Sequence, residues 1–187
     1  MINTARRLSL SVALAAAFLA FIPLSMTSGS AAALANDDFA KNAETFVQSL
    51  ADEAIKSLAV EGLAQNERVE RFKVLLHKHF DVKAIGRWVL GRYWRKASKE
   101  QRAEYMGLFE NLIIATYVNQ FTGLSGELLE VTEAIANDEK KDAIVRSEIL
   151  RPKGQPPIKV DWRVRAPKGE FKVVDVVVEG VSMSQTQ

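Results

Sequence analysis

The chain has no cysteine in its 187 residues and only two histidines, His77 and His79. Without cysteine there are no disulfides, no thiol catalysis and no cysteine-held metal. The histidines stand two apart, whereas imidazoles on a helix meet at spacings of three or four, as in H-E-x-x-H. With the acidic residues scattered as well, no metal site is expected. Ser125, in Gly123-Leu-Ser-Gly126, lacks the strand–Gly-x-Ser-x-Gly–helix setting of a nucleophile elbow and reads as a loop residue. Excess charge is also missing. Lys and Arg number 25 against 23 Asp and Glu, and the first 35 residues carry only Arg6 and Arg7, so the remainder is neutral. A neutral chain lacks the basic footprint of a general nucleic-acid binder, so no nucleic-acid partner is expected.

A long unbroken apolar run is absent too. Leu8–Leu24 is apolar but interrupted at Pro23, follows the basic pair, and leads into a small-residue tract ending Ala33-Leu34-Ala35. This pattern predicts a secretory signal peptide over residues 1–35, cleaved before Asn36, and therefore a periplasmic protein. Residues 36–187 are then long enough for a single domain stabilised by its core alone.

That domain divides into a helical half and a strand half. Asp37-Asp38 is expected to open a helix carrying Phe39, Ala43, Phe46, Val47, Leu50, Ala54, Ile55 and Leu58 at steps of three and four. Asn66 is expected to cap a second helix through Phe80, and Asp81 a third through Leu90, ended by Gly91. Ser98 with Gln101 forms a capping box for a fourth helix, read as the longest and ended by Gly123. After Gly126, strands are expected over 127–135, 142–150, 158–165 and 171–178. The third, Ile158-Lys-Val-Asp-Trp-Arg-Val-Arg165, alternates strictly. Short turn-rich links imply an antiparallel meander, hence an α+β fold: a helical layer on a curved four-stranded sheet.

Groups able to do chemistry are few. Asp161 alternates outward with Lys159, Arg163 and Arg165 and reads as solvated. Asp175 interrupts an apolar strand and reads as a structural carboxylate, with a general base as the other possibility. One electrostatic cluster stands out. Arg87, Arg92, Arg95, Lys96, Lys99 and Arg102 interleave with Trp88, Tyr93 and Trp94. Such a mixture suits an anionic surface or acidic partner, or it is a solvated face whose arginine stems cover aromatics.

In the same stretch the chain resembles the MlaC family. The shared features are Phe80-Asp81, Val89-Leu-Gly-Arg-Tyr-Trp-Arg95, Ser98-x-x-Gln101-Arg102, Phe109 and Tyr117. In the second half they are Ile149-Leu-Arg-Pro152, Pro157-Ile-x-Val-Asp-Trp-Arg163 and Val174-Asp-Val-x-Val-Glu-Gly-Val-Ser182. The likeness covers nearly all of residues 36–187. Phe171 and Val174 stand where the family often has Trp and Tyr. The family usually continues with a further helix, so a C-terminal truncation is expected.

The resemblance implies a non-enzymatic, monomeric periplasmic phospholipid carrier with no cofactor beyond its lipid cargo. It would run between an outer-membrane lipoprotein–porin complex and an inner-membrane ABC transporter with an MCE subunit. Hopanoid-associated relatives give an alternative cargo. Expected lining residues are Val82, Ile85, Val89, Leu108, Leu112, Ile113 and Tyr117 from the helices. From the strands they are Val160, Trp162, Val164, Val174, Val176 and Val178. Arg87, Arg92, Arg95, Lys96 and Arg102 are the expected partner-docking residues. Two other classes stay open on the residues alone. One is a cone-shaped isomerase or dehydratase using Asp175 or Tyr117 as base. The other is an interaction module with a filled core.

Overall fold

A computed structural model describes residues 29–122, 127–137 and 141–185 of the chain. The expected signal peptide over residues 1–35 lies largely outside them, as do residues 123–126 with Ser125. Among the described residues, five α-helices precede five strands: α1 (Gly29–Leu58), α2 (Gln65–His79), α3 (Val82–Leu90), α4 (Tyr93–Lys96), α5 (Lys99–Tyr117), β1 (Leu128–Asn137), β2 (Asp142–Leu150), β3 (Ile158–Arg165), β4 (Lys172–Val178) and β5 (Val181–Ser182). The sheet is an antiparallel meander in sequence order, β1-β2-β3-β4-β5.

Several boundaries differ from expectation, each for a local reason. Helix α1 begins at Gly29, not Asp37, because the intervening Ala31–Ala35 tract is strongly helix-forming and contains no breaker. At 30 residues it, and not the 19-residue α5, is the longest helix. Helix α2 has no side-chain cap at its start, and Asn66 lies within its first turn. Instead Arg68, buried, donates its Nε to Leu58 O at 3.2 Å and its Nη1 to Gln65 Oε1 at 3.3 Å. One guanidinium thereby satisfies the last turn of α1 and ties it to the start of α2. The one-turn helix α4 was not expected. Helix α5 ends in a 3₁₀ turn, Val118–Phe121, before Gly123 is reached.

The caps legible in the sequence form as expected. Asp81 Oδ1 accepts from Ala84 N at 2.9 Å. Gly91, at φ +55, ends α3. Ser98 Oγ accepts from Gln101 N at 3.2 Å while Gln101 Oε1 accepts from Ser98 N at 2.9 Å. The sheet has five strands, not four. Glu179 and Gly180 both take positive φ, at 49° and 81°, which is the geometry of a two-residue hairpin that turns the chain back on itself. Val181 and Ser182 then pair with Val178 and Val177.

Two separate apolar cores result. Ala43, Val47 and Leu50 of α1 pack on Ala143, Val145, Val164 and Val173 of the sheet. Leu76, Val82, Phe109, Ile114 and Val118 form a second core within the helical layer. Phe80 packs against both. The chain is stitched there: Asp81 N donates to Val173 O at 3.0 Å, fixing the α2–α3 junction on β4. The two histidines serve different helices. His79, buried, places Nε2 2.9 Å from Glu53 Oε2, and His77 Nε2 lies 3.0 Å from Glu110 Oε1. Hydrogen bonds from Lys78 and then His79 hold the Glu53 carboxyl below its ordinary range. The stability this α1–α2 contact gives is present at neutral pH and fades as pH falls through that lowered value.

Candidate ligand-binding cavity

Because the two cores meet only near Phe80, space remains between them. It forms two adjoining lobes of ≈ 330 and ≈ 400 Å³, each in the range of small-molecule pockets. Phe72, Leu76, Phe80, Phe121, Ile149 and Trp162 border both. The first lobe continues between α3, α5 and the sheet. Ile85, Ile113 and Tyr117 line it from the helices, and Val160, Val176 and Val178 from the strands. The second lobe runs beneath α1, where Leu50, Ala54 and Ile55 face Leu75, Leu129 and Ile158. Gln120 and Leu128, on its border, are exposed, so this lobe reaches solvent beside them.

The walls are apolar but their shape is set by a few hydrogen bonds. Trp162 Nε1 donates to Ser147 Oγ at 3.0 Å, and that buried hydroxyl donates to Val160 O at 2.9 Å. The indole is thus fixed where it borders both lobes. Asp175 borders the first lobe, and its carboxylate is fully engaged. It accepts from Val176 N at 3.0 Å, Ser182 Oγ at 2.8 Å and Ser184 N at 3.3 Å. Met183 N donates to Val176 O at 2.8 Å, and Tyr117 Oη lies 3.7 Å from Met183 Sδ. Asp175 therefore pins the short return strand and the Met183 and Ser184 that follow it, which complete that end of the cavity.

Replacing Asp175 with Ala should lower unfolding stability by about 1–3 kcal/mol, the cost of stranding several partly buried donors. Asp175→Asn, which keeps one acceptor oxygen, should lose less. Denaturant titration distinguishes the two. Equal losses would mean that the carboxylate does not hold the return strand in place.

Seven of the expected lining residues are brought together around the first lobe: Ile85, Ile113, Tyr117, Val160, Trp162, Val176 and Val178. The other six are elsewhere. Val164, fully buried, belongs to the sheet core and Val82 to the helical core, with Val89 packed against the latter. Leu108 and Leu112 are 63% and 48% exposed on the outer side of α5. Apolar residues surround that helix, so spacing alone does not say which side turns inward. Val174 is displaced by a bulge. The register passes from Val164↔Val173 to Arg163↔Asp175, leaving Val174 without a partner across β3. Sequence reasoning missed Phe72, Leu76 and Phe80 as lining. Their spacing of four was visible, but it is also the ordinary signature of a core face.

The sequence pattern of the family described as MlaC protein matches residues 48–187. The intermembrane phospholipid transport system binding protein MlaC of Haemophilus influenzae (strain ATCC 51907 / DSM 11121 / KW20 / Rd) is 30% identical over 107 residues. That match covers 56% of this chain and 50% of the relative, so the chain spans about half the length of the curated relative it matches. Among solved structures, a phospholipid-binding protein from Ralstonia solanacearum, determined in complex with a phospholipid, superposes with a TM-score of 0.65. It covers 77% of this chain and 82% of its own at 22% identity, a likeness that establishes the fold.

Proposed function

Because the chain belongs to the MlaC family, we propose that it is a carrier of phospholipid, with acyl chains in the two lobes between the helices and the sheet. The observation that carries this is the cavity itself. A folded protein ordinarily fills its interior to crystal-like density, and here two apolar lobes lie open between two complete cores. Each methylene moved from water into such space contributes about 0.8 kcal/mol, so burial alone suffices for holding a lipid. A polar headgroup would remain on the solvent side, beside Gln120 and Arg151.

On this proposal the protein is exported, works in the periplasm without turnover, and moves its cargo between an outer-membrane lipoprotein–porin complex and an inner-membrane ABC transporter with an MCE subunit. Arg87, Arg92, Arg95, Lys96 and Arg102 bring it to those complexes, since charged rims raise association rates more than they deepen affinity. All but Arg102 are exposed.

Organic extraction of protein purified from periplasm, followed by mass spectrometry, tests the proposal. A phospholipid in roughly stoichiometric amount is the expected result. The intact mass of the same material should begin at or near Asn36. Recovery of protein with no amphiphile would sink the carrier function.

A further inference from the structure

Helix α3 has two working faces. Ile85 lines the cavity, while Lys83, Arg87 and Trp88 border an outer groove that Trp94, Arg95 and Arg102 complete from α4 and α5. We infer that this outer surface, besides serving to dock on those complexes, binds directly to an anionic phospholipid bilayer with no protein receptor required. This goes beyond the carrier function, and only its purpose rests on that proposal.

Charge is the first argument. Residues 82–102 hold seven cations, Lys83, Arg87, Arg92, Arg95, Lys96, Lys99 and Arg102, against the single carboxylate Glu100. The whole chain has a net charge of only +2, so the rest of the molecule is net acidic and this region is its positive pole. Among the described residues, Lys83, Arg87 and Arg95 form no ion pair or hydrogen bond through their side chains. The carboxylate of Asp81, which also borders the groove, is engaged in capping α3.

The aromatics point to a bilayer in addition to any acidic protein. Trp88 is 63% and Tyr93 54% exposed, an unfavourable display for rings that face only water. Tyr93 has Arg92 and Lys96 at 5.1 and 5.8 Å from its ring centre, and Trp94 has Arg102 at 5.4 Å. Tryptophan and tyrosine beside lysine and arginine are the side chains that settle at a membrane's headgroup level. An acidic peptide would need the cations but not the protruding rings. The free cations are also spread over α3 and α4 and do not converge on one point, which suits a field of phosphates better than a single anion. With the bilayer on this face, the cavity wall at Ile85 stands about one helix diameter, ~10 Å, from the headgroups.

The test is co-sedimentation of the purified protein with vesicles of phosphatidylcholine containing phosphatidylglycerol, against phosphatidylcholine alone, at low and high salt. Preferential, salt-sensitive binding to the anionic vesicles is expected. Arg87→Ala with Arg95→Ala should weaken it about 25-fold, fivefold for each cation removed. Trp88→Ala should weaken it about fivefold without changing the salt dependence. Arg163→Ala, an exposed cation on β3, should leave it unchanged. These side chains are exposed, and the circular dichroism of each variant checks that it folds. Wild-type protein that ignores phosphatidylglycerol, or that binds only when a membrane protein is reconstituted into the vesicles, overturns the inference. So does a loss as large in Arg163→Ala. The lipid extracted from the same preparations reports separately on the carrier function, so the two can fail independently.

Discussion

Replacing Val176 with Trp should weaken phospholipid binding by about two orders of magnitude, and so lower the amount that co-purifies, while the secondary structure stays intact. Val176 lies opposite Trp162 in the β3–β4 register and borders the first lobe. An indole there fills space that an acyl chain would otherwise occupy. Excluding even four methylenes removes about 3 kcal/mol of binding, more than a hundredfold in the equilibrium. The fold has reason to survive, because the added atoms enter an open lobe and not the sheet core of Val145, Val164 and Val173. Overpacking a filled core costs about 1–3 kcal/mol, and an unfilled site costs less or stabilises. Leu108→Trp, on the exposed side of α5, supplies the control and should retain its lipid. If extraction returns equal amounts from Val176→Trp and wild type, the first lobe does not hold the cargo.

That contrast between Val176 and Leu108 marks how far the sequence could be read. Along β2 and β3 side chains alternate between the two faces, so both strands have the bounds that their patterns predict, and Val160, Trp162, Val176 and Val178 fall together on the cavity side. Caps were equally legible at Asp81 and Ser98, because each is a local exchange of hydrogen bonds. What was not legible depends on contacts between distant segments. The bulge at Val174 is set by pairing with β3. The inner side of α5 is chosen by α2 and α3 packing on it, not by its own pattern. The contribution of α1 and α2 to the second lobe arises because their apolar stripes reach past the sheet core, and no spacing distinguishes that from ordinary packing. The family likeness indicated a cavity. The division of its walls between lining and core emerges only from the packed structure.

Gly86 is the position where that packing is least forgiving, and Gly86→Val should lower unfolding stability by about 1–3 kcal/mol through overpacking alone. Helix α3 crosses α5 so closely that a β-carbon at residue 86 would stand 2.8 Å from Met106 Sδ and 3.0 Å from Phe109 Cδ1. The methionine can yield, but Phe109 is buried in the helical core. Gly86 O also accepts from Tyr105 Oη at 2.9 Å, a bond that breaks if α3 lifts, at a further cost of about 1 kcal/mol. Gly86→Ala should be milder, since the added methyl returns up to about 1 kcal/mol of helix propensity. Two readouts locate the damage. Burial raises the Tyr105 phenol above its ordinary pKa, so displacement of α3 should bring its titration back down. Ile85, the preceding residue, should leave the first lobe, and lipid recovery should fall with it. A valine variant as stable as wild type, with Tyr105 titrating as before, would show that α3 can reseat on α5 without the close approach, and the coupling between this crossing and the cavity would be refuted.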